Sequence, residues 1–233
     1  MIWGSDPVLI LLHMCDRYKH LLTWPQAVKH YKLTDPAAPA GYRQSDNIAP
    51  SEKALVIRES EQGRAGAMLH WGIIPSWAIK KPVMKPFNAR YEDLIASPLW
   101  TPLLKSRRCL VPASGYFGWS ESEGGKRLLW IGMADGAAFA MAGVWDRWLN
   151  RVNGEEVETF AIVTTTANEL IAGAQERMPV ILSPGAWSNW LGTDGASLPI
   201  QQPYPAERMK LFPAGLPINR AKGKGAKLGE HAR

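Results

Sequence analysis

The residues of this chain whose types could do chemistry fall in five short segments, each mixing polar side chains with aromatics and turn formers. They are Met14 to Tyr18 (MCDRY), Trp71 to Trp77 (WGIIPSW), Phe87 to Glu92 (FNARYE), Pro112 to Trp119 (PASGYFGW) and Gln175 to Leu182 (QERMPVIL). Cys15 offers a thiol and stands directly after a second methionine, so a chain initiated at Met14 carries cysteine as its second residue. With no histidine partner in its segment, the thiol lacks the usual activation of a cysteine peptidase that acts on other proteins. Arg17, Arg90 and Arg177 are forked donors, Glu176 is a titratable acid, and Trp77 and Trp119 present large π surfaces. Each also has a plain structural reading: Cys15 as a packed thiol, Asn88 as a turn or cap residue, the tryptophans as core. Cys109, inside RRCLV, is expected to pack in a strand and to carry no function.

Strand-like runs must position these segments. They cover Ala54 to Ile57, Ala67 to Ile74, Arg108 to Val111, Arg127 to Met133, Ala138 to Val144 and Thr159 to Thr165. Helices are expected over Thr23 to Leu33, with a cap and a proline in the first turn, over Glu92 to Trp100, and over Pro184 to Leu191 behind Ser183. This order is not a βα alternation. It predicts an α+β fold, a single domain with a curved, barrel-like, mostly antiparallel sheet flanked by short helices.

Composition narrows the functional classes. With 233 residues, 46% hydrophobic and 21% charged, the chain suits a folded core rather than a disordered tail or fibre. Its longest apolar runs fall well short of the ~18–20 residues of a membrane span. The run Val8 to Leu12 has Asp6 and no basic residue ahead of it, unlike a signal peptide. Two cysteines are too few for a disulfide scaffold, which favours a cytoplasmic protein. The formal charge of +6 biases the surface towards polyanions, and 11 tryptophans suit cores and base stacking alike. His13, His20, His30, His70 and His231 have no metal-ligand spacing, so no metal and no cofactor are expected. The lysine and arginine tail, Arg220, Lys222, Lys224 and Lys227, reads as a solvated terminus.

In order and spacing the five segments, with Asn47 to Pro50 (NIAP) and the region around Asn219, resemble the SRAP family of SOS response-associated peptidases, or abasic-site processing proteins. The resemblance covers most of the chain from Met14 onward. It implies a domain over 14–228, with 1–13 as a pro-segment or misassigned start and 229–233 as a tail. In such a protein an N-terminal cysteine carries a primary amine and a thiol on adjacent carbons. The amine forms a Schiff base with the ring-opened aldehyde of an abasic site, and the thiol closes it to a thiazolidine. The resemblance makes Cys15 the nucleophile, exposed by methionine removal or self-cleavage, and Asn88 the residue that holds the cysteine end. It gives Arg17, Arg90 and Arg177 to phosphate, Trp77 and Trp119 to stacking or wedging against bases, and Asn47 and Pro50 to the groove. The partner is single-stranded or junction DNA with abasic sites, bound without sequence preference, and the protein is expected to be a monomer.

Departures from that pattern fall on the chemistry. Gly118 stands where the pattern has a glutamate, Gln175 where it has a histidine, and an extension precedes Cys15, whose amine is blocked while that segment stays attached; Asp16, where the pattern has a glycine after the cysteine, adds a negative charge where DNA should approach. A glutamine does not titrate near neutral pH, so acid–base work worth typically ~10²–10⁴ in rate needs a substitute; Glu176 is the nearest candidate, with Glu121 and Glu123 also close in sequence. Two functions follow: a crosslinking enzyme with associated self-cleavage, or a single-stranded DNA-binding module that has lost catalysis.

Overall fold

The computed structural model describes residues 16–122, 125–192 and 202–214. Cys15, the segment 1–13, Glu123 and the basic tail lie outside the described residues. In chain order the strands are β1 (Tyr18–His20), β2 (Ser45–Ile48), β3 (Lys53–Ser60), β4 (Gly63–Trp71), β5 (Asn88–Arg90), β6 (Arg108–Ala113) and β7 (Gly115–Ser122). They continue with β8 (Gly125–Met133), β9 (Phe139–Leu149), β10 (Glu156–Thr166), β11 (Arg177–Pro179), β12 (Ile181–Leu182) and β13 (Met209–Pro213). The α-helices are α1 (Trp24–Tyr31), α2 (Thr101–Ser106), α3 (Glu169–Ala172) and α4 (Trp187–Leu191).

Five strands close on themselves: β10 pairs with β4, β4 with β3, β3 with β6, β6 with β9, and β9 with β10 again. All of these pairs are antiparallel except β4 with β10, whose parallel register sets Thr159 against His70 and Phe160 against Trp71. A second antiparallel sheet runs β13, β8, β7, β1, β2. The period of two along each strand decides what packs where. On β3, Leu55 and Ile57 join a core with Trp24, Tyr31, Leu104 and Trp190 of the helices, whereas Ala54 and Val56 join one with Tyr18, Tyr116 and Ile131 of the second sheet. The closed ring is thus a barrel-like, mostly antiparallel sheet flanked by short helices, as the sequence predicts, with a second antiparallel sheet that the sequence reading did not include.

Helix α1 begins where its cap is expected. The Thr23 N–H donates to Gln26 Oε1 at 2.8 Å, Pro25 lies in the first turn, and Trp24, Ala27 and Tyr31 form its buried face. Large polar-tipped aromatics then tie the helices to the ring: the Tyr31 hydroxyl donates to Phe139 O at 2.8 Å, and Trp190 Nε1 to Cys109 O at 2.9 Å. Cys109 is buried in β6, and burial pushes its thiol pKa up, so it is an inert core residue.

Two expected elements differ. The helix over Glu92 to Trp100 is absent; a single 3₁₀ turn, Tyr91–Asp93, is followed by turns, and α2 starts at Thr101. Pro98 explains this, because it lacks an N–H and disfavours helical geometry at Ser97. The strand expected to reach Ile74 ends at Trp71 because Gly72 takes φ 129 and turns the chain away. The short strands β1, β2, β5, β11, β12 and β13, and the strand character of the PASGYFGW segment, carry too few residues or too many glycines to announce themselves in sequence.

Gly143 on β9 shows how tightly the ring is drawn. A Cβ there would come within 2.8 Å of Val111 Cγ2 and 2.9 Å of Cys109 Sγ. Gly143→Ala is expected to destabilise the fold by about 1–3 kcal/mol in denaturant unfolding, whereas Gly173→Ala, where an added Cβ meets nothing, changes it by less than about 0.5 kcal/mol.

Candidate functional site

The end of β10 carries two short strands, one on each edge. On one edge β5 pairs in parallel, Ile162 against Asn88 and Thr164 against Arg90; on the other β11 pairs antiparallel, Thr164 against Pro179 and Thr166 against Arg177. Residues opposite one another share a face and alternate residues return to it, so Asn88, Arg90, Thr164 and Arg177 share one face. It is the face that carries Phe160 and Ile162 towards the second sheet. Three residues singled out in the sequence, Asn88, Arg90 and Arg177, therefore come together although 89 positions separate the first from the last.

Arg177 and Arg90 differ in how firmly they are held. The Arg177 guanidinium donates to both oxygens of Glu92 at 2.8 and 3.3 Å, and to the hydroxyl and carbonyl of Thr164 at 3.2 and 2.7 Å. Its side chain is only 13% exposed. Arg90 Nε lies 3.8 Å from Glu92 and 3.9 Å from Asp93, and its side chain is 56% exposed. Arg90 is thus the freer cation and Arg177 a clamp between β10, β11 and the turn after β5. Burial resists ionisation of Glu92, but the hydrogen bonds from Arg177 and from its own backbone N–H, with the charges of Arg177 and Arg90, hold its carboxyl below the usual range. Sequence reasoning missed Glu92 as the hub, although it stands two residues after Arg90.

The second sheet meets this cluster through β7 and Gln175. Gln175 is buried, and its Nε2 donates to Arg177 O at 2.8 Å. Its Oε1 occupies the space beside Gly118: a Cβ on that glycine would sit 2.3 Å from it. The two departures from the family pattern are therefore neighbours, and the amide of one fills the room left by the other. Glu176 is exposed, while its carbonyl accepts the Ala167 N–H at 2.9 Å. Its exposed side chain faces solvent and stays outside the cluster, whereas that of Gln175 next to it is buried. Across from β7 lies β1, in the register Tyr18 against Tyr116, and the Phe117 N–H donates to Arg17 O at 2.9 Å. Arg17 Nη1 donates to Asn47 Oδ1 at 3.2 Å, joining two more of the expected groove residues. Pro50, half-buried, opens the turn after β2, where Ser51 N–H donates to Trp71 O at 2.7 Å.

Trp77 and Trp119 separate. Trp77 is 70% exposed on the loop that joins β4 to β5. That loop is clamped on either side of it: the Ser76 N–H donates to Asp146 Oδ2 at 2.7 Å, and Trp148 Nε1 donates to Ala78 O at 2.6 Å. Asp146 is itself buried and paired with Arg107. An indole held out by a fixed backbone is a ready stacking surface. Trp119 instead packs beside Phe117, Leu128 and Trp130, on the face of β7 opposite to Gly118.

The lowered Glu92 pKa has a stability consequence with a definite sign. A carboxyl depressed in the folded state contributes stability above its unfolded pKa and loses it as pH falls through the folded value. Glu92→Gln is therefore expected to lower stability near neutral pH by up to about 1 kcal/mol, as for a partly exposed pair, with the gap from the parent closing in thermal melts at progressively acid pH.

Comparison with known proteins identifies the family. The model of the family described as SOS response associated peptidase (SRAP) matches residues 14–221. The abasic site processing protein YoqW of Bacillus subtilis is 32% identical over 223 residues, covering 92% of this chain and 98% of its own. The abasic site processing protein YedK of Escherichia coli is 29% identical over 187 residues, covering 78% of this chain and 82% of its own. A Bacteroides thetaiotaomicron protein of solved structure is similar in fold, with TM-score 0.78 and 25% identity, over 86% of this chain and 92% of its own. A Bordetella bronchiseptica structure has TM-score 0.75 and 25% identity, over 87% of this chain and 100% of its own. The chain belongs to the SRAP family of abasic site processing proteins.

Proposed function

We propose that this protein binds single-stranded or junction DNA at an abasic site and, when Cys15 is N-terminal, crosslinks to the sugar aldehyde as a thiazolidine. The observation that carries this reading is the convergence of Asn88, Arg90 and Arg177 at the end of β10 beside Gly118, facing the strand that begins three residues after Cys15. Arg90 and Arg17 supply cations for phosphate, and neither contact reads a base, so binding is independent of sequence. Trp77 supplies a stacking face for a base flanking the lesion, and Asn47 and Pro50 border the path of the strand. Asn88 positions the cysteine end, and Arg177, gripped by Glu92, serves as the support of that cluster. Removal of Met14, or self-cleavage of the preceding segment, frees the amine that an internal cysteine has locked in an amide. The sparse cysteines suit work in the cytoplasm, as part of a DNA damage response.

One observation favours the second reading, a DNA-binding module without crosslinking: Gly118 and Gln175 put an amide and a hydrogen atom where the family pattern has two titratable groups. A denaturing gel of an abasic single-stranded oligonucleotide, incubated with chains beginning at Met1 and at Met14, decides between them. A shifted band from the Met14 form, lost in Cys15→Ala, is the expected result. Native binding with no denaturation-resistant band from either form assigns the second reading. Arg90→Ala is expected to weaken binding and to reduce the slope of log K against log salt by about 0.7 per lost phosphate contact on a single strand. An unchanged slope removes Arg90 from the DNA path. Trp77→Ala is expected to cost about 1–3 kcal/mol of single-strand affinity, as for loss of one stacked base, in a titration followed by tryptophan-independent oligonucleotide anisotropy.

A further inference from the structure

Position 118 carries no side chain, so the proton transfers of crosslinking need a donor from elsewhere, and the strand register points to one. Tyr18 pairs with Tyr116 and Lys19 with Gly115, and the Phe117 N–H bonds to Arg17 O; continuing that register by one residue sets Asp16 opposite Gly118. Residues directly opposed in an antiparallel pair carry their Cβ positions ~4.5–5.5 Å apart on one face. Gln175 Oε1, 2.3 Å from where a Cβ at 118 would lie, projects onto that same face. Asp16 is also the residue that follows Cys15 in the chain. Its Oδ1 is sealed from solvent and accepts no hydrogen bond from any described residue. A buried carboxyl oxygen left without a partner calls for a reason.

We propose that Asp16 is the proton-transfer group of the crosslinking reaction, a carboxyl supplied by the segment that leads into β1 because β7 itself has glycine at that point. This rests on the crosslinking reading above. The acid is carried across the strand pair: Asp16 and Gly118 hold, in exchanged positions, the glycine and the acid of the family pattern. Burial raises the Asp16 pKa, against the opposing charge of Arg17 and a bond to its own backbone, so its proton is retained to higher pH than that of an ordinary aspartate.

In the reaction, the Cys15 amine adds to the sugar aldehyde to give a carbinolamine. Asp16 gives its proton to the carbinolamine hydroxyl, which leaves as water as the nitrogen lone pair forms the C=N bond of an iminium ion. The thiol sulfur then bonds to that carbon, the C=N electron pair returns to nitrogen, and the S–H proton passes to the Asp16 carboxylate. The carboxyl is regenerated, and one water is lost overall.

The test compares the parent chain begun at Met14 with Asp16→Asn and Asp16→Glu, timing crosslink formation on an abasic oligonucleotide across pH. Binding to an oligonucleotide with a tetrahydrofuran abasic analogue, which has no aldehyde, is measured alongside. The charged group acting on Asp16 is Arg17, Gly118 and the Gln175 amide share its face, and Cys15, with its amine and thiol, precedes it in sequence. Deprotonation of that amine and thiol makes the rate rise with pH, whereas need for the Asp16 proton makes it fall. Asp16→Asn is expected to slow crosslinking ~100-fold or more and to abolish the falling limb, with analogue binding retained. Asp16→Glu is expected to keep the limb and part of the rate, which a merely structural aspartate would not require. An Asp16→Asn rate and pH profile equal to the parent's overturns the role of Asp16 and leaves the crosslinking reading intact. Analogue binding by the parent without any crosslink overturns that reading, and this proposal with it.

Discussion

Strand β10 is the constraint on which the molecule depends. Its first part closes the ring by pairing with β9 on one edge and β4 on the other, and its last part carries β5 and β11 on those same two edges. The loop that follows β4 is tied to the strand before it can wander: the Gly72 N–H donates to Phe160 O at 2.8 Å, and the Ile74 N–H to the buried Thr159 hydroxyl at 3.0 Å. Asn88, Arg90 and Arg177 keep their mutual positions because all three hang from one continuous backbone ladder. The register of that ladder is protected by its two buried faces, since a slip of one residue would exchange Phe160 and Ile162 for Ala161 and Val163.

Electrostatics at the site follows from this frame. Glu92 bridges two arginines that the ladder has already brought close, and it holds one of them far more firmly than the other. The consequence is a division of labour among like residues: Arg177, nearly enclosed, orders the cluster, while Arg90 stays open to an anion. The same contrast separates the tryptophans. Trp71 and Trp190 are spent on the core, with their N–H groups bonded to Phe87 O and Cys109 O, whereas Trp77 is presented outward by a backbone clamped through Asp146 and Trp148. Sequence reasoning selected Trp77 and Trp119 together; half-buried Trp119 packs against Phe117 and Leu128 on the far face of β7, a different environment.

The chemistry of Gly118 and Gln175 is one event rather than two. With the amide oxygen of Gln175 in the space a side chain at 118 would need, position 118 cannot acquire a side chain without the Gln175 amide giving way. Asp16, two residues ahead of β1, joins them on the same face when the register of β1 against β7 is continued. Partial burial beside β7 raises the Asp16 pKa, so that carboxyl holds its proton to higher pH than an ordinary aspartate.

Much was legible in the residues themselves. The period of two in the long strands announced a sheet-rich fold, Thr23 with Pro25 announced α1, and the spaced segments around Cys15, Asn88, Arg90 and Arg177 announced the family, because such signals are local and survive without neighbours. The closure of the ring, the failure of the expected helix at Pro98, and the short strands β1, β5 and β11 were not legible, because their hydrogen bonds go to partners tens of residues away. The sequence by itself determined which groups are available: a cysteine followed by an acid, forked cations, an amide where a titratable ring is expected. Only the tertiary structure decided that Glu92 clamps Arg177, that Glu176 faces solvent, and that Asp16 stands across from Gly118, because the distance between side chains depends on strand register and sheet packing rather than on separation along the chain.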